Sequence, residues 1–162
     1  MKRLISILLL CLLLTACGQP AGEPGPTSLP LPPETVAPTQ ATFTCTLYLP
    51  NENADGFDEI TAILEALTAQ QIVDQLIDAA VLHEEILVNW EQLEGTQLHV
   101  DFNAAFRNQL MTYGTAGERM MIGCVVNSLL CAYGADSVVL TVDGDIFESG
   151  HVIYDFPLEF HA

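Results

Sequence analysis

Between Thr115 and Gly134 the chain carries Met120, Met121, Ile122, Cys124, Val125, Val126, Leu129, Leu130 and Cys131. These apolar residues occupy nearly the whole circumference of a 3.6-residue helix instead of one stripe, which is the pattern of the central, most buried element of a small domain. Its limits are marked as well. Gly134 suits a C-terminal cap, and Thr115 with Glu118 three residues on makes a capping box whose carboxylate is favourably placed against the helix N-terminus.

The flanking segments read as the elements that pack around this helix. From Thr42 to Leu49, Phe43, Cys45, Leu47 and Leu49 alternate with Thr44, Thr46 and Tyr48, the period-two pattern of a half-buried strand, which Pro50 stops. Residues 51–56 (NENADG) form a polar turn. The stretch from Asp58 to Leu67 reads as extended, although Ile60, Ile63, Leu64 and Leu67 also fit helical spacing. Thr68 and Gln71 make a further capping box, and Ile72, Val73, Leu76, Ile77 and Ala80 follow at helical spacing, so a helix is expected over about 69 to 81. Ile86 to Leu93 and Gln97 to Phe102 form a hairpin around Glu94-Gly95-Thr96. A short helix is expected from Asn103 to Met111. Ser137 to Val142 is a β-branched strand, Asp143-Gly144 a strong hairpin turn, and Val152 to Phe160 a closing extended segment. Residues 42–162, about 120 in number, suit one domain with one core.

Upstream, Lys2 and Arg3 precede an apolar run from Leu4 to Leu14 that is too short to span a bilayer and has the form of a secretory signal. Leu14-Thr15-Ala16-Cys17 resembles a lipobox. That resemblance implies a signal peptide over 1–16, cleavage between Ala16 and Cys17, and a Cys17 thiol joined by thioether to diacylglycerol. Two acyl chains anchor stably where one is marginal. The expected location is the extracytoplasmic face of the cell membrane; an ordinary secreted protein with a chance cysteine is the alternative. Residues 17–41 form a tether: between Gly18 and Ala41 there are seven prolines and three glycines. Such a composition cannot bury enough surface to order itself, and extended at ~3.1 Å per residue it reaches roughly 75 Å.

All 21 acidic residues lie beyond Ala16, against Arg107 and Arg119 alone, a formal charge of −19 for that part. Nucleic-acid binding is excluded, because it needs basic residues to displace counterions from phosphates. A basic protein face or divalent cations suit such a surface, and solubility alone also accounts for it. Beyond the lipidated residue, Cys45, Cys124 and Cys131 remain. Cys124 and Cys131 lie about 10 Å apart along a helix, out of disulfide reach, and read as small core residues. A bridge from Cys45 to either is open.

Chemistry-bearing patterns are weak. Asn51, Asn53, Asp55 and Gly56 sit like the first ligands of a calcium loop, but position twelve is Ala62 where a bidentate Glu is needed. Asp143, Asp145 and Glu148 gather where a turn already demands Asp-Gly. His83, His99, His151 and His161 lack zinc-site spacing. His99 and Asp101 share a strand's outer face, and His151 lies within reach of Asp155. Ser128, Ser137 and Ser149 lack a nucleophile elbow. No catalytic residue, metal ligand or cofactor is therefore expected. Met111, Met120 and Met121 read as core filler. Trp90, on one strand face with Ile86 and Val88, is either core or an interface anchor.

The opening TLYLP at 46–50 with NENADGF after it, HVDFNAAF at 99–106, GTAGERMMIGCVVNSLL at 114–130 and SVVLTVDGDIFESGHVIYDFPLEF at 137–160 together resemble a GerMN domain, the sporulation and spore-germination module. The resemblance covers about 42 to 162; one departure is that no lysine follows Lys2. It implies an α+β domain, two main helices packed on a small mixed β-sheet, without a known catalytic centre. Such domains occur in envelope lipoproteins of spore formers and look like protein-interaction modules. Docking into an envelope complex, or self-association, is the mechanism it implies. An envelope receptor for a small solute, wall fragment or cation is the alternative. A receptor predicts a deep pocket with convergent polar groups, and a docking module predicts flat faces and an open strand edge.

Overall fold

The computed structural model describes residues 42–161. The cleavage and lipidation positions Ala16 and Cys17, and the rest of the expected signal and tether, lie outside the described residues. The chain folds as β1 (Phe43–Pro50), β2 (Phe57–Leu64), α1 (Ala69–Asp78), β3 (Val88–Glu94), β4 (Gln97–Phe102), α2 (Ala104–Leu110), α3 (Thr115–Tyr133), β5 (Ser137–Val142), β6 (Asp145–Glu148) and β7 (Ile153–Tyr154). The class is α+β, as expected.

The layering differs from two main helices on one small mixed sheet. Three helices pack with two sheets, an antiparallel β1-β2 pair and a five-stranded sheet ordered β3-β4-β5-β6-β7, in which β4 and β5 run parallel. The cause lies in α3, whose residues from Met121 to Leu130 are all buried. A helix apolar all round needs cover beyond what one sheet face supplies. The five-stranded sheet turns Leu98, Val100, Phe102, Val138, Leu140 and Val142 inward, and β1 adds Cys45 and Leu47 against the helix as a separate layer.

Polar side chains inside this packing act as cross-ties. Ser128 Oγ accepts the Tyr48 N–H at 2.9 Å, fixing β1 on α3. Asn127, fully buried, donates to the His161 carbonyl at 2.9 Å and accepts the His161 N–H at 2.8 Å, holding the closing segment across the same helix. The expected extended run from Val152 to Phe160 is mostly irregular, with β7 and a single bridge between Val138 and Leu158 as its ladder contacts.

Both expected capping boxes are modified. Thr68 Oγ1 does accept the Gln71 N–H at 3.2 Å, but Gln71 Oε1 takes the N–H groups of Glu65 and Ala66 instead of reaching back to Thr68. The helix ends at Asp78, short of residue 81, because Ala80 adopts φ +59° and the Val81 and Leu82 N–H groups both return to the Leu76 carbonyl. At α3 the N-cap is Gly114, with no side-chain cap, and Glu118 points into the protein.

A β-bulge between Val88 and Trp90 shifts the register of β3 on β4, pairing Trp90 with Asp101 and Glu91 with Val100. The shift moves Trp90 off the face of Val88 and onto the outer face, and turns Glu91 toward the helices. There Glu91 accepts the Ala69 N–H at 2.5 Å, capping α1 from another strand, and accepts the Tyr133 hydroxyl. Burial and the neighbouring Glu91 carboxylate both push the Tyr133 hydroxyl above its ordinary pKa, so it stays a donor. Glu91→Ala removes the cap and the acceptor of a part-buried hydroxyl; denaturant unfolding is expected to show a loss of about 2 kcal/mol.

Among the described residues the thiols of Cys45, Cys124 and Cys131 are free. Burial pushes Cys124 up to about 12, which leaves it an inert core thiol. Cys131 departs from the core reading: it lies one turn from the helix end, on the exposed side. Of the methionines, Met121 is core, Met120 half-buried, and Met111, at the C-cap of α2, exposed.

Candidate functional site

Three neighbouring clefts lie around the first two turns of α3. One cleft of about 470 Å³ lies between Thr115, Ala116, Arg119 and Met120 and the 54–57 turn. A neighbour of about 430 Å³ extends toward Tyr113, Gly117 and Met121. A third, about 320 Å³, lies between Glu118, Arg119 and Ile122 of α3 and Val152, Tyr154, Phe156 and Leu158 of the closing segment, with His161 on its wall. The first is floored by Phe57, whose ring rests so close to the helix that a Cβ at Gly123 would lie 2.3 Å from Cζ.

Glu118 is the unusual group. It is 1% exposed, and its Oε1 accepts both the Ser149 hydroxyl and, at 2.7 Å, the Tyr154 hydroxyl, while Oε2 is buried without a protein partner. Burial and the Glu118 carboxylate together raise the Tyr154 hydroxyl, which stays protonated and donating. Beside it, burial and then the Arg119 charge hold His161 below its ordinary pKa, so the imidazole is neutral near pH 7. Position 118 in sequence is explained by a capping box, and that explanation hid its burial.

The other sequence candidates resolve into structural roles. Asn51 Nδ2 donates to Asp55 Oδ1 at 2.9 Å and Asn51 Oδ1 accepts the Asp55 N–H at 3.1 Å, so the 51–56 segment is a self-satisfied turn. His99 and Asp101 do share an outer face, but Asp101 is 2% exposed and its oxygens are taken: Oδ1 accepts the Thr141 hydroxyl at 2.5 Å and the Gly144 N–H at 2.8 Å, and Oδ2 accepts Asn89 Nδ2 at 2.9 Å. Burial alone would raise this carboxyl, yet the bonds from Thr141, Asn89 and Gly144 outweigh it and hold the group below the usual carboxylate range. Asp143 and Gly144 form the expected tight turn with φ +53° and +82°. His151 Nε2 lies 3.3 Å from the Tyr113 carbonyl instead of meeting Asp155. Among the described residues no group of three or more His, Cys, Asp or Glu side chains is arranged to hold a metal ion. Among them, too, no helix is long and apolar enough to cross a membrane.

A second surface stands out at the sheet margin. β3 is the terminal strand of the five-stranded sheet. Leu87, Trp90 and Leu93 are exposed along it, at 53%, 45% and 46%, Trp90 from the outer face and Leu93 from the side of Leu98.

The strand order and the buried central helix define an α+β domain of the GerMN type. A family profile described as Germane, sporulation and spore germination, matches residues 25–147. The chain belongs to that family. Among solved structures it is similar to the tandem GerMN domains of the sporulation protein GerM from Bacillus subtilis, with TM-score 0.57 and 19% identity over 74% of this chain. The match spans 46% of that tandem chain. It is also similar to the first GerMN domain of the same protein, with TM-score 0.50 and 18% identity, covering 72% of this chain and 96% of that one. These likenesses concern the fold. A search of curated proteins returns no match.

Proposed function

We propose that this chain is a lipid-anchored protein on the extracytoplasmic face of the cell membrane whose GerMN-type domain docks, without catalysis, onto another envelope protein during sporulation or germination. The observation that carries the reading is the margin of β3, where three large apolar side chains flank a strand edge without a strand partner among the described residues, its Val88 N–H alone being taken by Gln70 Oε1 at 2.7 Å. Such an edge is a template for strand addition, with backbone groups supplying affinity and flanking side chains supplying specificity. An amphipathic Trp beside it is the usual anchor of such contacts.

Charge narrows the partner. Glu84, Glu85 and Glu94 sit along this margin, so two copies meeting edge to edge would oppose like charges, whereas a basic face would be steered toward it. The reading therefore takes a basic envelope protein over a second copy. Anchoring rests on the Lys2-to-Cys17 signal and on Cys17 itself. Metabolic labelling with a palmitate analogue should mark the wild-type protein and not Cys17→Ser.

A photo-cross-linking residue at position 92, exposed on the outer face beside Trp90, tests the docking with the anchor intact. In sporulating cells it is expected to give a defined adduct with a sporulation-complex protein, lost on Leu93→Glu although the melting temperature is unchanged. No adduct in sporulating or vegetative cells would refute the docking reading.

A further inference from the structure

The backbone along the margin of β3 shows which part of the strand is free to pair. β3 and β4 are joined by Gly95-Thr96, with Glu94 facing Gln97 and Gly95 at φ +64°. Glycine with positive φ at the first position of a two-residue loop is the type II′ hairpin, which closes on a pair that exchanges both backbone bonds. Alternation from Glu94 turns the backbone groups of Gln92 and Trp90 toward β4 and aims those of Glu91 and Leu93 away from it. Beyond the bulge the groups are already used. Leu87 spends its N–H and C=O on Asn103, at 3.2 and 3.0 Å. The Val88 N–H goes to Gln70 Oε1, while Gln70 Nε2 donates to Asp74 Oδ1 at 2.7 Å and so fixes the amide in that sense. Gln70 thus stops the edge, and the stretch open to an added strand runs from Glu91 to Glu94.

The side chains along this stretch set what that strand must carry. On the outer face stand Trp90, Gln92 and Glu94, with no arginine or lysine among them: the arginines of the described residues, Arg107 and Arg119, lie on α2 and α3. Glu94 accepts only the neutral amide of Gln92, at 2.8 Å. A guanidinium over the Trp90 ring would gain a cation–π contact, and one beside Glu94 an ion pair. On the inner side Leu93 is 46% exposed, whereas the Glu91 carboxylate is engaged by the Ala69 N–H and the Tyr133 hydroxyl and calls for no cation. We propose that the occupant of the β3 margin is a short extended segment of a partner protein, with basic residues on the outer face alternating with apolar residues on the inner one, paired through Glu91 and Leu93 and ended by Gln70. Side chains keep that alternation whichever way the added strand runs. The proposal rests on the docking reading.

The probe is the capped heptapeptide Thr-Arg-Leu-Thr-Val-Arg-Thr, added to the full-length protein at low salt. One control carries glutamate for both arginines, and another carries proline for the leucine and the valine. Binding is read from the emission of Trp90, the chain's only tryptophan, and its place from amide hydrogen exchange. The basic peptide is expected to bind saturably, with each control about tenfold weaker. Exchange at Glu91 and Leu93 should slow, and exchange at Val88 should stay as it is. No saturable binding, equal binding of all three peptides, slowing that misses Glu91 and Leu93, or a change at Val88 would overturn the proposal. The cellular cross-link separates the two readings. An adduct at position 92 with a peptide that does not bind leaves docking standing and removes the strand chemistry. A peptide that binds as expected, with no adduct in cells, supports the strand chemistry and removes the docking reading.

Discussion

Replacing Asp101 with alanine is expected to lower the stability of the domain by about 3 kcal/mol and its melting temperature by about 10 °C, the largest loss from any single polar side chain here. Its carboxylate ties three places together: Thr141 on β5, Gly144 in the β5-β6 turn, and Asn89 in the bulge of β3. Alanine leaves the Thr141 hydroxyl and the Gly144 N–H without their acceptor in a part-buried place. An asparagine at this position would keep one acceptor but aim an NH2 group at donors, so Asp101→Asn should recover less than half of the loss. The pH dependence carries a sign of its own. Because the folded carboxyl is held below its ordinary value of 3.8, its contribution is full above the unfolded pKa and is lost as pH falls through the folded one. Acid titration of the wild type followed by circular dichroism should therefore show a transition below that value which Asp101→Ala lacks.

The second large effect is steric. Gly123→Val should cost about 3 kcal/mol by equilibrium unfolding, because the new side chain must occupy the space of the Phe57 ring. Even one methyl group would lie 2.3 Å from Cζ, so the half-buried Phe57 ring must swing away from α3 and give up its packing there. The cause can be isolated in a double-mutant cycle. Alanine at 123 should destabilise the wild type, but in a Phe57→Ala background it should become neutral or stabilising, since the helix then keeps alanine's intrinsic advantage of about 1 kcal/mol over glycine. A penalty that persists without the Phe57 ring would show that the clash is not the cause.

Local signals in the chain are faithful to the fold, and long-range ones are not. Gly134 ends α3 in the left-handed conformation, Asp143-Gly144 turns with two positive φ angles, and the Leu98, Val100, Phe102 face is buried as its alternation predicts. Each is decided by residues within one turn or one strand. The division into two sheets is not local, because it depends on α3 needing cover that a single sheet does not give. The β3 bulge has no marker in Val88-Asn89-Trp90, so the face of Trp90 could not be read from period two. Glu118 shows the limit most clearly. Its three-residue spacing from Thr115 fits a cap, and nothing in the sequence says that Ser149 and Tyr154, more than 30 residues on, will draw it inward. The family assignment was legible from segments spread along the chain, whereas the orphaned carboxylate oxygen and the cleft around it became visible only in three dimensions.

The arrangement at β1 bears on mechanics. Any pull arriving through the residues before Thr42 enters the fold at Phe43, the first residue of a strand paired along its whole length with β2. Traction directed along the axis of β1 does not open that ladder pair by pair; it loads the eight β1-β2 pairs in shear, together with the bond from the Tyr48 N–H to Ser128. A domain hung from that end therefore meets such a load with its contacts acting in parallel, and its first mechanical failure should be a single abrupt detachment of β1 instead of gradual fraying.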